Sequence, residues 1–232
     1  METGRLNLKS IKSKQMSENF ILGIFLASVG GYLDAYTYFI RGKVFANAQT
    51  GNIVLLGISI ANGDFSSAIR YIIPILAFTA GILLTELLKF NLKENHIFHW
   101  RQYIVLLEAV ILFSTSFIQQ GNLDIIVNAM VSFVCAMQVE SFRVISGNKI
   151  ATTMCTGNLR SGTEMLFHGI KAKDKKCIIT SLTYYTIIIA FIVGAITGTF
   201  LTRYFFVKSI YAACILLIAP FFMMFKVYKS ND

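Results

Sequence analysis

The stretch that decides the fold is Asp34 to Asn52, DAYTYFIRGKVFANAQTGN. It stands between apolar runs. At an offset of 106 positions it is echoed by Glu140 to Asn158, ESFRVISGNKIATTMCTGN. At that offset Lys43 falls on Lys149, and Thr50-Gly51-Asn52 falls on Thr156-Gly157-Asn158. Asp34 meets Glu140, Tyr36 meets Phe142, Val44 meets Ile150, and Gly63 meets Gly169. An acid, a lysine and a TGN triplet recur at matching distances, with apolar segments in the same order around them. This reads as one unit used twice.

Of the 232 residues, 55% are hydrophobic and 14% charged. Soluble domains carry about 25% charged residues, so too little polar surface is left for a water-soluble shell. The class is an all-α polytopic membrane protein with one membrane domain. A net charge of +9 would suggest nucleic acid in a soluble protein. Here Lys and Arg gather in tails and short loops, where they orient spans during insertion. No basic face is interleaved with accessible aromatics, so no nucleic-acid partner is expected; the lipid bilayer is the expected partner. Cys135, Cys155, Cys177 and Cys214 form no CxxC pair and read as packing residues. His96, His99 and His168 assemble no convincing ligand set, so neither metal nor cofactor is expected. No nucleophile elbow, Walker loop, Rossmann fingerprint or HExxH helix is present, and the chain is read as no enzyme.

Outward from the repeated stretch, six apolar runs read as membrane spans, and the first is long enough to cross roughly 30 Å of hydrocarbon at 1.5 Å per residue. They are Phe20–Ile40, Ile69–Leu88, Tyr103–Ile118, Ile125–Ile145, Ile178–Thr202 and Tyr204–Phe225. Pro74 and Pro220 predict kinks. Gly194 and Gly198 form a GxxxG that lets another helix come close. Ile53–Ala61 and Leu159–Ile170 are too short to cross and read as re-entrant half-helices. Six spans keep the N-terminus, Lys89–Arg101, Arg160–Lys176 and the C-terminus in the cytoplasm. Eight spans would put Lys89–Arg101 outside, against the positive-inside rule. The basic start of the chain has no short apolar core with a cleavage site, so residues 1–19 read as a cytoplasmic tail. Two membrane repeats follow, 20–122 and 123–226, and then a cytoplasmic tail, 227–232. Each repeat holds three spans, so the second is inverted. The two broken segments enter from opposite sides and approach each other near the midplane, as in secondary transporters.

The candidate solute-binding residues are Gln49, Thr50, Gly51, Asn52, Thr156, Gly157 and Asn158. Thr50 and Thr156 are placed to cap the half-helices, whose free amides and partial positive charge suit an anionic or carbonyl-bearing ligand. Asp34 and Glu140 are ionisable groups inside apolar spans, which are costly there and face the interior. Lys43 and Lys149 are their candidate partners, and Arg143 shares a helical face with Glu140. Glu108 is a third intramembrane acid. These groups are candidates for ion or proton coupling, or for structural ion pairs.

Gly31-Tyr-Leu-Asp34-Ala-Tyr-Thr-Tyr, then Phe45, then Gln49-Thr50-Gly51-Asn52, resembles the signature of the YoaK-like bacterial membrane proteins, a family defined by a domain of unknown function. The resemblance covers nearly the whole chain and includes Glu108. It implies an integral membrane protein of about six spans and a role in small-molecule transport. The second half departs from the pattern, with Cys155 where Gln49 stands. The expected function is a secondary transporter or facilitator of a small polar or anionic solute in the bacterial cytoplasmic membrane. The alternatives are a channel with the same repeats and a non-transporting scaffold or receptor. Six spans make a small bundle, which a homodimer would suit.

Overall fold

The computed structural model describes residues 19–92 and 100–225. Residues 1–18 of the tail expected at 1–19, the whole tail expected at 227–232, and the loop with His96 and His99 lie outside the described residues. In chain order the helices are α1 (Phe20–Ile40), α2 (Gln49–Ala61), α3 (Phe65–Leu92), α4 (Trp100–Thr115), α5 (Asp124–Ser141), α6 (Cys155–Ala172), α7 (Lys175–Phe205) and α8 (Ile210–Phe225). A 3-10 turn, Phe206–Ser209, joins the last two. The segments Phe20–Ile40, Phe65–Asn91, Asp124–Ser141 and Lys175–Met224 are long and apolar enough to cross a membrane. The architecture is that of a helical membrane protein.

Local chemistry sets the helix starts. Asn19 Oδ1 accepts the Ile21 N–H at 2.9 Å and opens α1. Asp64 Oδ1 accepts the Ser67 N–H at 3.0 Å, and Asp174 Oδ1 accepts the Lys176 N–H at 2.8 Å, opening α3 and α7. A side-chain acceptor satisfies an amide that the first helical turn leaves without a partner. The Ser67 hydrogen bonds hold the Asp64 carboxyl below its ordinary value. The Cys177 thiol, 3.2 Å away, and the Lys176 amide do the same for Asp174.

The packing pairs exchange between the halves. α1 packs on α7 as α5 packs on α3; α2 lies along α3 as α6 lies along α7; α8 meets α1 as α4 meets α5; and α4 meets α8. The α1–α7 crossing is a backbone-to-backbone approach. A Cβ on Gly31 would land on the Phe191 carbonyl, and one on Gly194 would land on the Ser28 carbonyl. The main core lies between α1, α4, α5 and α8, around Leu26, Tyr36, Leu112, Val131 and Leu217.

The offset between the halves changes along the chain. Around the breaks it is 106: α2 opens at Gln49 and α6 at Cys155, after Ala48 and Met154 with similar backbone angles (φ −83°, ψ 74° and φ −98°, ψ 75°). Past those helices it is 110. The Asp64 N–H donates to the Ser59 carbonyl at 2.9 Å, and the Asp174 N–H donates to the Gly169 carbonyl at 2.9 Å. The difference is about one helical turn, added to α6. The structural counterpart of Gly63 is therefore Lys173, not Gly169. Both close their helices in the left-handed region, at φ 70° and φ 53°.

Two sequence expectations are corrected here. The half-helix expected at Leu159–Ile170 starts at Cys155 and runs 18 residues. The span expected at Ile125–Ile145 stops at Ser141, because Val144–Ile145 and Asn148–Lys149 pair as an antiparallel hairpin. Its turn residues, Ser146 and Gly147, both have positive φ, as a two-residue hairpin turn of this hand requires.

Candidate functional site

The first break is a linker between α1 and α2, tied down by residues from both sides. Asp34, 6% exposed within α1, accepts the Asn47 N–H at 2.8 Å. Thr37 Oγ1 accepts the Ala46 N–H at 3.3 Å. Asn52 Nδ2 donates back to the Phe45 carbonyl at 2.6 Å and to Gln49 Oε1 at 3.0 Å. Gln49 Nε2 donates to the Ala46 carbonyl at 2.8 Å and to Ser132 Oγ on α5 at 3.3 Å. Asp34 thus places a carboxyl acceptor just ahead of the α2 N-terminus.

The second break repeats part of this. Asn158 Nδ2 donates to the Ala151 carbonyl at 2.7 Å, the bond of Asn52 moved by 106 positions. The charged residues do not repeat. Because α5 ends at Ser141, Glu140 is one residue from its helix end, whereas Asp34 lies six residues inside α1. Glu140 pairs with Arg143 at 3.1 Å, and the Arg143 side chain is 68% exposed. Lys43 is exposed and sits over the Tyr38 ring at 4.8 Å. Lys149 is exposed in β2, and its carbonyl accepts from Tyr184 Oη at 3.2 Å. Among the described residues neither lysine is the ion-pair partner of Asp34 or Glu140.

The triplets divide by exposure. Asn52 and Asn158 are buried, while Thr50, Thr156 and Gly157 are exposed. The capping expected of Thr50 and Thr156 is corrected: the helices open at Gln49 and Cys155, so both threonines already lie inside them, and neither helix has a side-chain cap. The two breaks meet instead through their linkers. A Cβ on Gly30 would stand 3.0 Å from Asn47 Nδ2 and 2.8 Å from Thr153 Cγ2. Asn47 and Thr153 are counterparts at the 106 offset, so equivalent points of the two halves come together over Gly30 on one face of α1.

At this junction the Asn47 side chain is buried, and neither its Nδ2 nor its Oδ1 has a hydrogen-bond partner; Asn52 Oδ1 is likewise unpartnered. Unpaired buried amide atoms are expensive, and their presence marks a place where a ligand or water can gain bonds. A cavity of about 420 Å³ opens beside the first break. Arg41, Arg70, Asp124 and Asn128 are among its lining residues. The Arg41 side chain is fully buried. Nη1 pairs with Asp124 at 2.8 Å, Nη2 reaches the Ile118 carbonyl at 2.8 Å, and Nε and Nη2 both reach Tyr36 Oη. Glu108 lies apart from the junction, on α4.

The sequence reading leaves Arg41 in an outer loop; it marks Gly30-Gly31 for close helix approach and notes Asn47 in the linker, but places none of Gly30, Asn47 and Asn128 in the site. An arginine directly after a long apolar run, with a tyrosine five residues before it, was the available signal for Arg41. Nothing in the sequence singled out Asn47.

A family model described as "Protein of unknown function (DUF1275)" matches residues 22–223 of the chain. No curated protein and no solved structure matches.

Proposed function

The chain belongs to the DUF1275 family of proteins of unknown function, and from that premise we propose that it is a membrane transporter or facilitator for a small polar or anionic solute. The observation that carries this reading is the Asn47 amide, buried at the meeting point of two helix breaks with no partner for either polar atom. Broken helices are tolerated at membrane depth where they line a cavity or are buried in protein, and transporters place their sites there. Of the two arginines beside the cavity, Arg41 is committed to Asp124, and Arg70 supplies attraction for anions.

The finer reading is a YoaK-like bacterial protein of six spans, α1, α3, α4, α5, α7 and α8, with α2 and α6 re-entrant. Its support is the exchange of packing pairs, the recurrence of the Asn clamp, and the basic residues of the loops. In this reading repeats 20–122 and 123–226 are inverted, and both termini face the cytoplasm. The bilayer and the solute are its partners, and two copies form the working unit. A scaffold is the second reading, favoured by one observation: the clamp bonds use the Nδ2 donors of both TGN asparagines inside the protein.

Single cysteines at Asn62, Asn122 and Lys173, in a background without native cysteines, test the topology. Labelling from outside is expected at Asn62 and Asn122 and not at Lys173. Labelling of all three from one side removes the inverted arrangement. Uptake into proteoliposomes of a panel of small carboxylates, amino acids and sugars tests transport. Asn47→Ala should slow an accepted solute about tenfold, the loss expected for one or two buried hydrogen bonds. A scaffold moves no member of the panel.

A further inference from the structure

Glu108 is fully buried in α4, and neither carboxyl oxygen has a hydrogen-bond partner. It shares a helical face with Ile104, Val105, Leu112 and Thr115, all buried, and so points into the core between α1, α5 and α8. The helices packed most closely on α4 are α5 and α8, and neither contains a Lys or Arg. On α5 the titratable groups are Asp124, committed to Arg41, Glu140, committed to Arg143, and Cys135. Cys135 lies within electrostatic reach of both Glu108 and Asp34. On α8 they are Tyr211, whose Oη accepts from Ser116 Oγ at 3.1 Å, and Cys214, whose thiol meets the Ala109 carbonyl at 3.7 Å. α3 also touches α4; its Glu86 and Lys89 pair with each other, and Arg70 and Tyr71 lie in its first two turns. On α1, Tyr32 donates to the Ser209 carbonyl, Asp34 holds the Asn47 amide and Tyr36 accepts from Arg41; on α4 itself, Arg101 donates to the Ser141 carbonyl. No hydrogen bond and no ion pair serves Glu108 among the described residues.

We propose that Glu108 is a proton-binding site at the centre of the bundle. An ionised carboxylate with no counter-charge and no donor has nothing to offset its desolvation, whereas a carboxylic acid fits the same space. Ionisable groups kept inside a membrane domain mark proton and ion pathways. Asp34, the other acid in that interior, is fixed to the Asn47 amide and so to the first break. A charge change at Glu108 is felt through the core that contains Asp34. The step from proton site to coupling ion rests on the transporter reading above; the proton site does not.

The test is reaction of the purified, liposome-reconstituted chain with the apolar reagent dicyclohexylcarbodiimide. The acid's O–H adds across one C=N bond. Oxygen bonds to the central carbon and the proton goes to nitrogen. The O-acylisourea rearranges to an N-acylurea, and the peptide gains the full mass of the reagent. Glu108 is expected to be labelled. Its labelling should fall about tenfold for each pH unit above half-titration, because only the protonated form reacts. Glu108→Gln keeps the shape of the neutral acid and should leave the chain folded and this peptide unlabelled. Glu108→Asp should restore labelling. Absence of labelling at acid pH, or labelling independent of pH, overturns the proton site whatever the flux experiments give. Labelling in a chain that moves no solute overturns the coupling role alone.

Discussion

The two helix breaks are built to one plan and stabilised by different means. Each opens its second helix after a residue of similar backbone angles, and each is clamped by an asparagine that reaches back seven residues to a linker carbonyl. The first is then locked by buried polar groups: the Asp34 carboxyl on the Asn47 amide, and Arg41 on Asp124. The second uses a hairpin, and its ion pair joins a largely buried Glu140 to an exposed Arg143. The difference teaches that position in a repeat does not transfer a role. α1 runs to Ile40, but α5 stops at Ser141, and this alone moves the second acid from the interior to the rim.

The largest expected effect separates the two ion pairs. Arg41→Met strands a carboxylate and two polar partners in the interior, and should cost about 3–5 kcal/mol. Arg143→Met at the exposed edge should cost less than about 1 kcal/mol. Thermal unfolding in detergent measures both, and equal losses would break the contrast.

The clamps should instead behave alike. Asn52→Ala and Asn158→Ala each leave a linker carbonyl unpaired, at about 1–3 kcal/mol. Asn52 should stand at the upper end because it also bonds Gln49. If only one substitution destabilises the chain, the shared plan does not hold.

The acids give a smaller effect. Asp34→Asn keeps an acceptor for the Asn47 amide but replaces the carboxyl, for a loss of about 1 kcal/mol. Glu140→Gln should change stability by less than about 0.5 kcal/mol. Limited proteolysis of the linkers 41–48 and 142–154 reads the same contrast locally: Asp34→Asn should speed cleavage of the first, and Glu140→Gln should leave the second unchanged.

The smallest effect returns to what the halves share. Asp64 and Asp174 are held below the ordinary 3.8 of an aspartate in the folded chain. A lowered folded-state value contributes stability above 3.8, and that contribution is lost as pH falls through the carboxylate range. Asp64→Ala and Asp174→Ala should each lower Tm slightly near neutral pH and flatten its decline in acid. A rise in stability on acidification of the parent chain would contradict this sign.

Part of the plan was legible in the sequence. The first span at Phe20–Ile40, a short helix at the first TGN and the burial of Glu108 within an apolar run follow from spacing and hydropathy. The hairpin was legible in principle: Val-Ile-Ser-Gly-Asn-Lys-Ile places a Ser-Gly turn between β-branched residues. A continuous apolar reading of Ile125–Ile145 hid it. The shift of offset from 106 to 110 was not legible. One added helical turn keeps the same face buried and leaves little trace in composition.

The sequence by itself determined the class and most of the helical segments. Those depend on local periodicity and on the cost of leaving backbone polar groups unpaired in an apolar setting. Only the tertiary structure decided which charges pair, that Arg41 is buried, that Asn47 and Thr153 meet over Gly30, and that Glu108 has no partner. Those facts depend on where helices end and cross. A helix that stops a turn early, or a glycine that lets two backbones touch, brings together or separates residues far apart in the chain.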